Sequence, residues 1–169
     1  MSDSTPSANE ALFTGAWDGR VAFSDLIRQA LDSAANDGWK LIILSDPDFV
    51  DWPLGERCVA DALQRWARKG RQVHFLARDF RVLREQAPRL VQWRTVWDHV
   101  VQARACQGTA ADALPSAIWS DRWTLERLDK VHARGVATND PQRRIELRER
   151  LDACWQRGTS AFPASTLGL

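Results

Sequence analysis

Two short apolar runs of matching design set the pattern of this chain. Leu41, Ile42, Ile43 and Leu44 lead into Ser45, Asp46, Pro47 and Asp48, and Val73, His74, Phe75 and Leu76 lead into Ala77, Arg78 and Asp79. Consecutive apolar positions over this length predict strands buried on both faces. Between them, over residues 56–69, Cys58, Ala62, Leu63, Trp66 and Ala67 recur at helical spacing, and Lys69-Gly70 reads as the stop. A buried strand, a crossover helix and a second buried strand form a parallel unit. Ligands of such units bind beyond the carboxyl ends of the strands, which is where both runs turn charged.

The flanking pattern extends this core. Residues 11–14 predict a short strand. Residues 22–35 predict an amphipathic helix with Phe23, Leu26, Ile27, Ala30 and Leu31 on one face, Ser24 as its cap and Asn36-Asp37-Gly38 as its end. The first buried strand then spans residues 39–44 and the second 72–77. Residues 81–86 predict a helical turn ended near Pro88, followed by a helical pattern through Leu90, Val91, Val96 and Trp97 and a strand over 100–105. Past a linker at 108–113, residues 116–119 and 127–138 read as extended, as a hairpin or as neighbouring strands. The second of these alternates Leu128, Lys130, His132, Arg134 and Val136 against Asp129, Val131, Ala133, Gly135 and Ala137. Asp140 caps a last helix with Pro141 at its first position, running to about Arg157 through Ile145, Leu147, Leu151 and Trp155. The expectation is a single α/β domain over residues 11–157, with a mostly parallel central sheet and helices on both faces. Residues 1–10 read as a disordered tail and 158–169 as a C-terminal tail.

Composition narrows the function classes. The 23 Lys and Arg balance 22 Asp and Glu, so there is no strong nucleic-acid signal and any anion site must be local. Cys58, Cys106 and Cys154 are odd in number and lack metal-ligand spacing, which suits a reduced, cytoplasmic protein. Residues 1–10 lack the apolar core of a signal peptide, and no apolar run reaches the roughly 18 residues of a membrane span. The chain has nine tryptophans and no tyrosine, and their scatter predicts core and rim packing rather than a stacking platform.

The chemistry-bearing residues cluster at the two strand ends. Asp46 and Asp48 could coordinate a metal or accept from a ligand hydroxyl, or simply accept backbone N–H groups of a turn. No third metal ligand accompanies them, so neither metal nor cofactor is expected. Arg78, with Asp79 beside it, could hold a phosphate or carboxylate, or pair with Asp46 or Asp48 and close the crevice. His74 reads as a core or edge histidine. His99 is explained by a helix end, and Cys58 and Cys154 are small hydrophobes on helix faces. Arg68, Lys69 and Arg71, and the arginines from Arg143 to Arg150, read as solvated faces. No nucleophile elbow, phosphate loop or zincin motif is present.

The order of elements resembles one half of a phospholipase D-like fold. Leu151 and Trp155, four apart on the last helix, resemble the superfamily's final helix. The stretch from Leu44 to Phe49, followed by that from Val73 to Asp79, is similar to small bacterial domains of the superfamily with no established activity. The resemblance covers residues 12–157. Catalytic members carry His-x-Lys, four residues and then Asp, with the His as nucleophile and the Lys and Asp supporting phosphate binding. Here the matching positions are His132, Arg134 and Asn139, and a helix replaces the Ser/Gly-rich stretch that usually follows. Arg retains phosphate binding, but Asn cannot hold a charged imidazole as Asp does. The resemblance therefore implies a non-catalytic binding or interaction module, for a phosphorylated small molecule or a protein partner, with Asp46, Asp48, Arg78 and Asp79 at its crevice. Two alternatives stand beside it. One is a divergent phosphodiesterase or phosphatidyl-transfer enzyme using His132 and Arg134. The other is a regulatory protein-interaction subunit presenting exposed Trp residues. Catalytic members set two halves face to face, which makes a single half a candidate homodimer.

Overall fold

A computed structural model describes residues 11–108 and 113–164. In chain order it contains β1 (Gly15–Asp18), α1 (Arg20–Asp37), β2 (Leu41–Ser45), α2 (Arg57–Trp66), β3 (Gln72–Ala77), α3 (Arg81–Gln86) and α4 (Pro88–Val96). A 3-10 turn at Asp98–Val100 precedes β4 (Val101–Ala105), β5 (Ser116–Trp119), β6 (Thr124–Asp129), β7 (Arg134–Thr138), α5 (Pro141–Arg157) and β8 (Thr159–Ser160). All eight strands join one sheet in the order β1-β7-β6-β5-β2-β3-β4-β8.

The sheet is mixed and mostly antiparallel, which corrects the expectation of a mostly parallel one. Only β2 with β3 and β3 with β4 run parallel, while the other five pairings are antiparallel. The reason is connection length. The β2–β3 and β3–β4 links carry helices, and parallel pairing requires such crossovers. The β5–β6 and β6–β7 links are tight turns, so those strands must reverse.

Strand periodicity divides the core in two. Ile42, Leu44, Val73 and Phe75 pack beneath α1 to α4, with Phe23, Ile27, Leu63, Trp66 and Leu90. Ile43, Leu76, Ala117 and Trp119 point to the other face and meet Leu147, Leu151 and Cys154 of α5. Seven of the nine tryptophans are buried, and Trp97 and Trp155 are half-buried.

Several boundaries move. The first strand lies at Gly15–Asp18 rather than 11–14, and Ser24 sits inside α1, whose cap position is Gly19. Gly38 ends α1 in the left-handed conformation expected of it. Helix α2 stops at Trp66, ahead of the Lys69-Gly70 stop, and buries Val59, Ala62, Leu63 and Trp66. This rotation leaves Cys58 exposed, not on the buried face. The single extended stretch expected over 127–138 is a hairpin. Residues 130–133 form its turn, and Ala133 takes a left-handed φ of 50°. The segment after α5 joins the fold: β8 pairs with β4, and Phe162 is buried, stacked 5.3 Å from Phe80. Residues 1–10, and most of the linker at 108–113, fall outside the described residues. No helix among the described residues is long and apolar enough to cross a membrane.

Candidate functional site

The carboxyl end of β2 delivers Asp46 into a closed polar network. Its Oδ2 accepts from the backbone N–H groups of Asp48 at 3.2 Å and Phe49 at 2.8 Å. This turn holds Phe49 at a φ of 60°. The Phe49 ring packs edge-on against Trp52 and Phe75, and that burial offsets the strain of a left-handed residue. On the other oxygen, Oδ1, Ser116 Oγ donates at 2.5 Å and Arg127 Nη2 at 3.0 Å.

Sheet register explains the convergence. Ser116 and Arg127 are cross-strand partners in β5 and β6, and Ser45 pairs with Ala117 on the neighbouring side of β5. Arg127 Nε also donates to Ser116 Oγ at 3.1 Å, and its Nη1 to Asp51 at 3.1 Å. The guanidinium lies 4.4 Å from the centre of the Phe23 ring. Burial by itself would push the Asp46 carboxyl up. The hydrogen bonds from Ser116, Phe49 and Asp48, with the charge of Arg127, outweigh it and hold the group below the ordinary carboxylate range. The partner of Asp46 is therefore Arg127 and not Arg78.

Asp48 and Asp79 take local turn roles. Asp48 accepts from the Val50 N–H at 3.1 Å, and Asp79 from the Arg81 N–H at 3.2 Å. Among the described residues no group of three or more His, Cys, Asp or Glu could hold a metal ion.

Arg78 is exposed. Its backbone N–H donates to Pro47 O at 2.9 Å, which ties the end of β3 to the turn after β2. Its side chain lines a groove of about 530 Å³ together with Asp79, Arg81, Arg84, Phe80 and Phe162. Lys130 lies on the β6–β7 turn, within range of the charges of Asp46, Asp48, Arg127 and Arg78. Although its side chain reaches solvent, partial burial desolvates the amine and lowers its pKa. Asp46 and Asp48 pull it up, and Arg127 and Arg78 press it down.

His132 and Arg134 stand apart from this groove. The His132 ring lies on the turn with Nδ1 2.8 Å from Asp129 Oδ2, and Arg134 Nε donates to Asp18 at 3.2 Å. Both side chains are largely exposed. His74 stacks on Trp155, ring centres 4.7 Å apart. Burial, with the charges of Arg148 and Arg104, lowers its pKa against the pull of Asp152.

Sequence reasoning missed Ser116, Arg127, Lys130, Arg81, Arg84 and Phe162. One signal was available for Arg127. It shares strand phase with Leu125, a buried core residue, so the strand carries it inward. Nothing local flags Ser116 or Phe162.

No family model matches this sequence, and no curated protein matches it. Solved structures share its fold. TrmBL2, an archaeal chromatin protein whose structure shows a novel mode of DNA binding, superposes with a TM-score of 0.65 at 13% identity, over 95% of this chain and 57% of TrmBL2. The chain thus spans little more than half the length of TrmBL2. Nuc from Salmonella typhimurium, a phospholipase D family member, superposes with a TM-score of 0.54 at 14% identity, over 88% of this chain and 98% of Nuc. At these identities the likeness establishes the fold, a phospholipase D-like α/β architecture.

Proposed function

We propose that this chain is a non-catalytic, phospholipase D-like binding module whose ligand carries a phosphate group, held at the groove beyond β3. One observation carries the reading. Arg78 stands exposed at the groove with Arg81 and Arg84, while Asp46, at the end of the neighbouring strand, is committed to Arg127. Among the described residues no carboxylate forms an ion pair with Arg78. A guanidinium presents paired donors that match a phosphate face.

The placement of His132 supports binding over phosphodiester cleavage. A nucleophilic imidazole must reach the phosphorus, and an adjacent cation must reach the phosphate oxygens. His132 faces Asp129 and Arg134 faces Asp18, and neither lines the groove at Arg78. The regulatory alternative called for exposed Trp residues, and with seven tryptophans buried and Trp97 and Trp155 half-buried the binding reading is favoured over it. DNA binding is a property of TrmBL2. The balanced charge of this chain favours a local phosphate contact over a broad polyanion surface.

The test is calorimetric titration with inorganic phosphate at fixed ionic strength. Saturable binding is expected, weakened about tenfold by Arg78→Ala, in line with loss of a charge-assisted contact. Binding that ignores Arg78→Ala, or no binding at all, would overturn the reading.

A further inference from the structure

The groove is built for more than a phosphate. Its arginines stand on one side, at the end of β3 and along α3. The rest of the lining is largely apolar, made by Ala105 of β4, with the polar Gln107 two residues on, and by Ala161, Phe162 and Pro163 after β8. The groove is open to solvent, and its volume of about 530 Å³ is of the size of small-molecule sites, roughly 300–1,000 Å³. A bare phosphate at the arginine rim would leave the apolar wall wet.

Two contacts hold this geometry. Phe80 and Phe162 stack within 8° of parallel, and the Arg84 guanidinium lies 5.5 Å from the centre of the Phe162 ring. Arg84 thus lies over the Phe162 ring and lines the groove. Asp79 and Glu85 also line the groove. Asp79 is engaged by the Arg81 N–H, and three arginines outnumber two carboxylates. The lining joins a net cationic cluster to a largely apolar stretch.

Resting on the phosphate-binding reading above, we propose that the ligand is a phosphate monoester whose organic part is an apolar ring. The phosphate sits at Arg78 and Arg81. The ring lies against Ala105, Ala161 and Pro163, beside the planar guanidinium of Arg84. A flat group suits this wall because guanidinium planes stack on rings. An apolar group of ring size gains from leaving water in proportion to the area it buries.

The test compares three probes on the unmodified chain by calorimetry at one ionic strength: inorganic phosphate, phenyl phosphate and phenol. Phenyl phosphate is expected to bind about tenfold or more tightly than inorganic phosphate, with phenol too weak to register alone. Ala161→Leu, checked for native circular dichroism, should bring phenyl phosphate down to the affinity of inorganic phosphate and leave the latter unchanged. Equal affinity for the two phosphates would overturn the ring proposal and leave the phosphate site standing. Failure of both phosphates to bind would overturn the phosphate reading itself, and the ring proposal with it.

Discussion

Arg127 and Asp46 form an ion pair shut off from solvent, 3.0 Å apart, with side chains only 3% and 1% exposed. Every nitrogen of the guanidinium donates: to Asp46, to Ser116 and to Asp51. A buried pair of this kind adds little net stability over an apolar substitute, but breaking one side strands the other charge. Arg127→Ala should therefore lower the unfolding free energy by about 3–5 kcal/mol. Replacing both partners, as Arg127→Met with Asp46→Leu, should cost clearly less than the sum of the two single changes. Urea denaturation of the three variants measures both, and additive losses would show that the pair is uncoupled.

The same carboxylate contributes to the acid sensitivity of the fold. The folded-state pKa of Asp46 lies below its ordinary value of 3.8, so the folded state holds fewer protons there than the unfolded chain. Its contribution is present above that value and is lost as pH falls through the folded pKa. Asp46→Asn should flatten the acid arm of stability against pH at the cost of lower stability near neutrality. An unchanged acid arm would count against the network described here.

His74 acts at a higher pH. Burial lowers its folded-state pKa below 6.5, so the unfolded chain takes up the proton first. The resulting penalty is absent above 6.5 and grows as pH falls from there toward the folded pKa. His74→Phe should remove that slope and keep the stack on Trp155. Thermal denaturation of wild type and variant across this window reads the difference directly.

Among the described glycines, Gly135 leaves the least room for a side chain. A Cβ there would meet Glu126 O at 2.0 Å and the Trp17 ring at 2.6 Å. Neither neighbour can yield, because Glu126 O belongs to β6 and Trp17 is buried. Gly135→Ala should cost about 3 kcal/mol or more, read as a drop in denaturation midpoint. A midpoint equal to wild type would mean that the β6–β7 pairing opens easily.

Phe162 ties the segment after α5 to the core, and Phe162→Ala should cost about 3–5 kcal/mol. The contrast is His132→Ala. That side chain is exposed, and its removal should change stability by no more than about 0.5 kcal/mol and leave phosphate binding untouched. A strong loss of binding in His132→Ala would revive the enzymatic alternative.

The sequence by itself determined what local physics controls. Leu41 to Leu44 and Val73 to Leu76 had to become buried strands, since such runs satisfy both faces of a sheet. Gly38 and the Asp140-Pro141 pair marked helix ends because their backbone preferences are intrinsic. Seven of the nine scattered tryptophans went to the core for the same hydrophobic reason. Tertiary structure decided what depends on distant residues meeting. The direction of β5, β6 and β7 followed from turns whose residues also fit a continuous strand, so the alternation over 127–138 hid a reversal at Lys130 to Ala133. The partner of Asp46 lay 81 residues away and was fixed only by strand order and register, which brought Ser116 and Arg127 onto one carboxylate oxygen. That choice in turn left Arg78 free at the groove, a consequence that no window along the chain could contain.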